Sequence, residues 1–242
     1  MVFTFWGANT PHILSIKAGV YRGSREALHE LWSRHSGRPI FLATMSVNHF
    51  KLLLRFCRFG YKVTREQRRA TDTLATFHDV WTMFVAQLRK FYIPGTDLTV
   101  DEQLVPFRGR CPFRQYIPSK PAKYGVNVWW CCDGATSYPL NAEVYIGKQP
   151  AQERELNQGE RIVTTMVSPR YSSGRNVVGD NFFTSVALVE ELLQQGLTYV
   201  GTMRKNKRDI PPPMISRNGQ KLSSAFAFHE NKTLVSYVPK KY

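Results

Sequence analysis

The sequence has few acidic residues. Its 242 residues include 18 Asp and Glu against 33 Lys and Arg, so the formal net charge is +15 at neutral pH. This surplus of cations indicates polyanionic partners. Cysteine is also scarce, because the chain has four: Cys57, Cys111, Cys131 and Cys132. They are too few and too irregularly spaced for a disulfide framework or a paired-cysteine zinc site. We therefore expect reduced thiols in a cytosolic or nuclear protein.

Long apolar runs are absent as well. No window approaches about 18 uncharged apolar residues. The opening segment contains Pro11 and His12, where a signal peptide needs an unbroken apolar stretch. Membrane insertion and secretion are therefore not expected. Apolar residues still make up 43% of the chain and aromatic residues 13%, which suffices for the core of one or two domains and excludes a wholly disordered chain.

The first half of the sequence has helical periodicity. Three helices are predicted: one from Ser24 to Trp32, one capped by Ser46, and one from about Thr76 to Tyr92. The second helix is predicted to bury one stripe, made of Phe50, Leu53, Leu54 and Cys57. The third is predicted to turn Val80, Trp81, Phe84, Val85 and Leu88 inward and to end before Pro94.

A polar segment with four basic residues, 62–69, lies between the second and third predicted helices. Two interpretations stay open at this point. The segment is either a solvated loop or a contact to the DNA backbone, since a run of charge usually indicates solvent exposure.

The second half of the sequence has short β-rich runs separated by turn residues. The predicted order is β, β, β, a short helix or strand at 161–167, β, α, β. Asp133 begins a hairpin turn and is predicted to be a turn former. Ser185 is predicted to begin the last helix of this series. The strands at 98–104 and 175–180 each carry or end at an acid.

These two acids, Asp101 and Asp180, are the candidate metal ligands. Hard cations such as Mg²⁺ prefer oxygen ligands, and two such ions about 3.5 to 4 Å apart can drive phosphodiester cleavage. The alternative is that both carboxylates are solvated or act as caps. Glu102 follows Asp101 and is predicted to point to the opposite face of the sheet, as a structural residue.

Basic and aromatic residues alternate between 107 and 124. Cations can pair with phosphates while rings stack on bases, and the alternative is a surface loop pinned to the core by its rings. The candidate DNA contacts in this segment are Arg108, Arg110, Arg114, Lys120 and Lys123. A second basic cluster follows the last strand and consists of Arg204, Lys205, Lys207 and Arg208.

The same segments carry a family resemblance. The sequences LTVDEQL (98–104), FRGRCPFRQYIPSKPAKYG (107–125), DNFFTS (180–185) and VGTMRKNKR (200–208) resemble those of piggyBac-type transposases. The match extends from about residue 40 to the end and consists of several long motifs in the family's order. Residues 1–23 have no match.

The resemblance implies a cut-and-paste DNA transposase with an RNase H-like catalytic core. In this family three aspartates bind two Mg²⁺ or Mn²⁺ ions and carry out hairpin-mediated excision and integration at TTAA. The first two fall on Asp101 and Asp180. The third lies in a G-G-V-D type motif, which this sequence does not contain, so DNA cleavage by this chain alone is not expected.

The predicted fold class is α/β, with an N-terminal helical region followed by a partial RNase H-like mixed β-sheet core. By resemblance, residues 24–95 match a helical dimerisation and DNA-binding region, 96–206 the first part of the catalytic core, and 207–242 the start of an insertion domain. The expected partners are double-stranded DNA and a second copy of the chain, in the nucleus. The alternative function is a domesticated, non-catalytic module that binds DNA or protein.

Overall fold

A computed structural model describes residues 10–21, 23, 26–57, 59–147, 155–215 and 222–239. The chain divides into two compact units, Met1–Thr64 and Arg65–Tyr242. In the part of the chain that the structure describes, no helix is long and apolar enough to cross a membrane. The domain boundaries predicted at residues 23, 95 and 206 stay predictions.

The first unit is helical. It contains α1 (Thr10–Val20), α2 (Leu28–Leu31), α3 (Pro39–Thr44) and α4 (Val47–Phe56). Its small core consists of Leu14, Leu31, Trp32, Phe41 and Phe50. The first predicted helix is largely absent, since α2 spans only four residues, and its predicted start at Ser24 lies outside the described residues.

The predicted cap of α4 is confirmed, because the Ser46 hydroxyl accepts the amide hydrogen of His49 at 3.2 Å. Its apolar stripe is only partly buried. Phe50 is buried, but Leu54 is 43% exposed, so the prediction for Leu54 is wrong. The basic segment 62–69, expected as a loop or a DNA contact, folds as helix α5 (Lys62–Arg69).

Helix α6 (His78–Leu88) is shorter than predicted. Val85 and Leu88 are buried as expected, but Phe84 is 45% exposed. The buried side of α6 packs on the sheet in a cluster with Val128 and Val144.

Six strands form the main sheet. They are β1 (Asp97–Pro106), β2 (Gln115–Tyr116), β3 (Tyr124–Asp133), β4 (Pro139–Val144), β5 (Asn176–Gly179) and β6 (Thr198–Gly201). Their order is β2-β3-β1-β5-β6, with β4 paired to β3. The pairings of β1 with β5 and of β5 with β6 are parallel, and those of β3 with β1, β2 and β4 are antiparallel. The predicted strands occur in the expected order along the chain, and the two-residue β2 is an additional strand that was not predicted.

Two helices cover one face of the sheet. Helix α7 (Gln158–Val167) settles the choice between helix and strand at 161–167, and α8 (Val186–Gln194) begins after Ser185, whose hydroxyl accepts the amide hydrogen of Leu188. The core beneath them is almost fully buried: Leu98, Val100, Trp129, Cys131, Leu140, Ile162, Val163, Met166, Val167, Val177, Phe183, Leu188, Leu192 and Leu197. Burial of this apolar face is the main stabilising contribution in the unit.

The turn between β3 and β4 is organised by the side chain of Asp133. Asp133 is 1% exposed, and its carboxylate accepts hydrogen bonds from the Gly95 amide at 2.7 Å and from the Thr136 hydroxyl at 2.7 Å. Hydrogen bonds from the Thr136 hydroxyl and from the backbone amides of Gly95 and Thr136 lower the pKa of Asp133 to about 2. Its predicted role as a turn former is confirmed.

A separate hairpin follows α9 (Pro212–Ile215) and consists of β7 (Ser224–His229) and β8 (Lys232–Tyr237). Its cross-strand register pairs Phe226 with Val235. A Lys232 to Glu190 ion pair links β8 to α8.

Candidate active site

The parallel pairing of β1 with β5 brings the two candidate acids together. Val100 lies opposite Gly179 in this pairing. Asp101 follows Val100 in β1, and Asp180 follows Gly179 at the end of β5. Adjacent strands are about 4.8 Å apart, and residues at equivalent positions of a parallel pair share a face. The backbone therefore places each of the two aspartates one residue after the last ladder pair of β1 and β5.

Asp101 lies on the sheet face opposite the main core. Its neighbours there include Thr99, Trp130 and Cys132, which together with Asp101 line an open cavity of about 450 Å³. Burial raises the pKa of the Cys132 thiol, and the nearby Asp101 carboxylate raises it further. The protonated form of the Cys132 thiol is therefore favoured beside the acid.

The Asp101 carboxylate has an environment that favours its protonated form. Partial burial raises its pKa, and the neighbouring Glu102 carboxyl adds to the rise. One carboxylate oxygen accepts the Glu102 amide hydrogen at 2.8 Å. A cation near Asp101 would lower its pKa again by stabilising the ionised carboxylate.

Glu102 is paired with a residue that the sequence assigns to DNA. The Lys120 ammonium lies 2.7 Å from the Glu102 carboxylate. Burial raises the pKa of Glu102, but the hydrogen bonds with Lys120 and Asp101 and the charge of Lys120 together outweigh it, and the net shift is downward. The charges of Asp101 and Asp180 help to raise the pKa of Lys120. Lys120 therefore lies close enough to both carboxylates to feel their charge, and its assignment as a DNA contact stays a prediction.

Asp180 lies in the turn that follows β5. One of its carboxylate oxygens accepts the Phe182 amide hydrogen at 2.8 Å. The next residue, Asn181, accepts a hydrogen bond from the Arg204 guanidinium at 3.0 Å. The turn thus connects the second acid to the second basic cluster.

The candidate DNA contacts lie mostly at the surface. Arg108, Arg110, Arg114, Lys123, Arg204, Lys205 and Arg208 are exposed, and Lys120 and Lys207 are half-buried. The Arg114 guanidinium also donates to the Arg108 carbonyl at 3.1 Å and lies 5.6 Å from the centre of the Tyr124 ring. Arg114 therefore orders its own loop besides presenting charge.

The donor set suits a hard cation but is small. One or two carboxylates are what Mg²⁺ commonly takes from a protein, with water and phosphate oxygens as the remaining ligands. Among the described residues, no group of three or more His, Cys, Asp or Glu could hold a metal ion. Asp101 and Asp180 thus fit a site that substrate oxygens would complete.

Among the side chains that hold the Asp180 turn, the sequence analysis identified only Ser185, as the cap of α8. Thr184 and Ser185 are buried, and the Ser185 hydroxyl donates to the Glu160 carboxylate at 2.6 Å. Tyr199 reaches the same turn from β6. The only signal in the sequence is that two of these residues lie in the motif DNFFTS (180–185).

This arrangement of a mixed sheet with an aspartate on its central strand and a second after the adjacent parallel strand defines an RNase H-like core of the transposase class. The chain belongs to the family described as "Transposase IS4", whose model matches residues 13–242. The predicted fold class and the resemblance to piggyBac-type transposases are confirmed by the relatives that follow.

Two kinds of relative carry the similarity. The chain is similar to a solved chain in the "Cryo-EM structure of piggyBac transposase synaptic complex with hairpin DNA", with 38% identity and a TM-score of 0.85 over 96% of this chain and 48% of that chain. It is 32% identical over 127 residues to human "PiggyBac transposable element-derived protein 3". The aligned region covers 51% of this chain and 21% of that relative. The human "Chimeric ERCC6-PGBD3 protein" has the same 32% identity over 127 residues. The chain therefore spans about half or less of each relative's length.

Proposed function

We propose that this chain binds double-stranded DNA as part of a cut-and-paste transposase, with Asp101 and Asp180 as metal-binding catalytic carboxylates. One observation carries the proposal. The parallel register sets Val100 opposite Gly179, the residues that directly precede the two acids, and Arg204 of the second basic cluster contacts the Asp180 turn through Asn181. The name of the solved relative, a synaptic complex with hairpin DNA, supports DNA as the partner.

The residues divide the work by charge. Asp101 and Asp180 would hold Mg²⁺ or Mn²⁺, which when bound supplies Lewis acidity for phosphodiester cleavage. Exposed arginines such as Arg108 and Arg110 bind the DNA backbone and fix its position, since cations at phosphates give affinity without sequence preference. Arg204 binds DNA next to the Asp180 turn, which it already contacts through Asn181.

A second function is favoured by the size of the donor set. Because the described residues contain no group of three or more His, Cys, Asp or Glu suited to a metal, the alternative is a module that binds DNA or protein without cutting. DNA binding that persists after both aspartates are changed to asparagine distinguishes this alternative, provided that Mn²⁺ binding is also unaffected.

The finer assignments are proposals as well. TTAA is the proposed target and a homodimer the proposed assembly, both by resemblance to piggyBac-type transposases. The nucleus is the proposed location, and the net charge of +15 supports residence with nucleic acid. Imaging of a fluorescent fusion tests the location, and sedimentation of the chain with and without TTAA duplex tests the assembly.

The salt dependence of DNA binding tests the proposed interface. Changing Arg108, Arg110 and Arg114 to glutamine should reduce the slope of log affinity against log salt by about one for each lost phosphate contact. The matched control compares the single changes Arg108→Gln and Lys17→Gln, since Lys17 is an exposed cation outside both basic segments and outside residues 24–95. Equal slopes for these two single variants would contradict the interface.

A further inference from the structure

The two proposed metal ligands are held by the backbone in different ways. Asp101 lies inside β1, where the ladder to β3 continues through Asp101 to Pro106. Asp180 lies one residue beyond β5, because the ladder pairs on both sides of β5 end at Gly179. The Asp180 backbone therefore needs other hydrogen bonds to fix its position.

A chain of two hydroxyls supplies one such hydrogen bond. The Thr184 hydroxyl donates to the Asp180 carbonyl at 2.7 Å and lies 2.9 Å from the Tyr199 hydroxyl. A hydroxyl has one proton and a carbonyl only accepts. Because Thr184 uses its proton on Asp180, Tyr199 must be the donor to Thr184. The hydrogen bonds thus run in one direction, from Tyr199 through Thr184 to Asp180.

Two glycines make room for this chain. A Cβ on Gly179 would lie 2.3 Å from the Tyr199 hydroxyl, and a Cβ on Gly201 would lie 2.5 Å from the Thr184 hydroxyl. Both distances are shorter than carbon and oxygen atoms tolerate without bonding. The paired glycines at the ends of β5 and β6 therefore let the two hydroxyls approach the sheet.

We propose that Thr184 and Tyr199 are positioning residues that fix the Asp180 carboxylate at the edge of the sheet. The proposal rests on the proposed function, in which Asp180 binds metal. One Asp180 oxygen is already engaged by the Phe182 amide at 2.8 Å, so the direction of the remaining oxygen follows the turn. A ligand must be held within about 0.5 Å to keep its site effective, and Thr184, 4% exposed, is placed to do this.

The test compares Thr184→Val with Thr184→Ser in the 242-residue chain. Valine keeps the shape but removes the hydroxyl, while serine keeps the hydroxyl. Loss of one buried hydrogen bond should weaken Mn²⁺ binding about fivefold, measured by electron paramagnetic resonance of free Mn²⁺. Valine should also speed amide hydrogen exchange at Phe182 to Thr184 by about the same factor. Serine should stay within about twofold of the parent in both measurements.

Tyr199→Phe supplies a second variant, because it keeps the ring and removes only the donor. It should shift both readouts in the direction of Thr184→Val. Thr198→Val is the matched control, since Thr198 lies on the same strand and its hydroxyl bonds Asn176 instead. Its exchange at Phe182 to Thr184 and its Mn²⁺ affinity should match those of the parent chain.

The two proposals fail separately. If Thr184→Val and Thr184→Ser behave alike in hydrogen exchange, the positioning role is wrong, whatever happens to Mn²⁺. Asp209→Asn, at an exposed acid outside the site, is the control and should leave Mn²⁺ affinity unchanged. If Asp101→Asn also leaves Mn²⁺ affinity unchanged, the proposed metal site is wrong. The exchange comparison needs no metal and remains decisive in that case.

Discussion

Two of the antiparallel strand pairs in the second unit differ greatly in burial. In the pair of β1 and β3, nine of the twenty residues are buried, including Leu98, Val100 and Trp129. In the pair of β7 and β8, both fully described, none of the twelve residues is buried. Both pairs have regular ladders.

The difference lies in what covers the apolar face. The face of β1 and β3 that carries Leu98 packs under α7 and α8. On the hairpin of β7 and β8, Phe226 is 58% exposed and Phe228 75%, although their rings stack with centres 6.4 Å apart. Strand pairing therefore does not stabilise a sheet without a second layer.

The largest expected effect comes from a change in the core between helix α8 and the main sheet. Leu188→Ala removes a fully buried side chain of α8 and should lower the free energy of unfolding by about 3 kcal/mol, from lost burial and the cavity left behind. Phe228→Ala, the matched change on the hairpin, should stay within about 0.5 kcal/mol. Urea unfolding measures both. A comparable loss for the two variants would show that the hairpin face is covered in solution.

The second prediction compares the turn between β3 and β4 with the turn between β7 and β8 by the pH dependence of stability. The folded pKa of Asp133 is about 2, below the ordinary value of about 4 for an unfolded chain. Its contribution to stability is therefore present above pH of about 4 and is lost as the pH falls through about 2.

Asp133→Asn should lower the melting temperature at neutral pH, and the gap to the parent should narrow between about pH 4 and 2. Glu230→Gln removes the same charge from the turn of the other hairpin and should leave the melting temperature unchanged at every pH. A gap that stays constant with pH would contradict the role of the Asp133 carboxylate.

The smallest expected effect concerns the ion pair that links the hairpin of β7 and β8 to helix α8. Lys232→Met removes the ion pair to Glu190, and isolated surface ion pairs contribute little. The melting temperature should not change, but amide hydrogen exchange in β7 and β8 should become faster, because the hairpin loses a tether to α8. Glu190→Gln should also speed this exchange, and an unchanged exchange rate in Glu190→Gln would show that the pair is not the tether.

The sequence is sufficient to predict elements whose signal is local. Ser46 and Ser185 are recognised as caps because each precedes a helical run of apolar residues. Asp180 is recognised because it directly ends the apolar strand at 175–180. Burial on α4 and α6 is not predictable, since Leu54 and Phe84 follow the period but are 43% and 45% exposed. Whether an apolar stripe is covered depends on which other element reaches it.

The candidate site divides in the same way. Motif resemblance and strand ends identify Asp101 and Asp180. The Glu102 to Lys120 ion pair and the hydroxyls of Thr184 and Tyr199 depend on contacts between distant segments, for which a single sequence has no signal. The basic segment 62–69 shows the opposite failure, because its charge obscures a helical pattern that the structure contains.

The parallel pairing of β1 with β5 also has a consequence for folding during synthesis. The Asn176 side chain bonds that of Asp97 across 79 positions of sequence, whereas β3 and β4 are joined by a tight turn. Contacts between distant residues form slowly because loop closure must come first. On the ribosome, β1, β3 and β4 can pair before β5 has emerged. The two aspartates therefore meet late, and a nascent chain carries Asp101 without its neighbour.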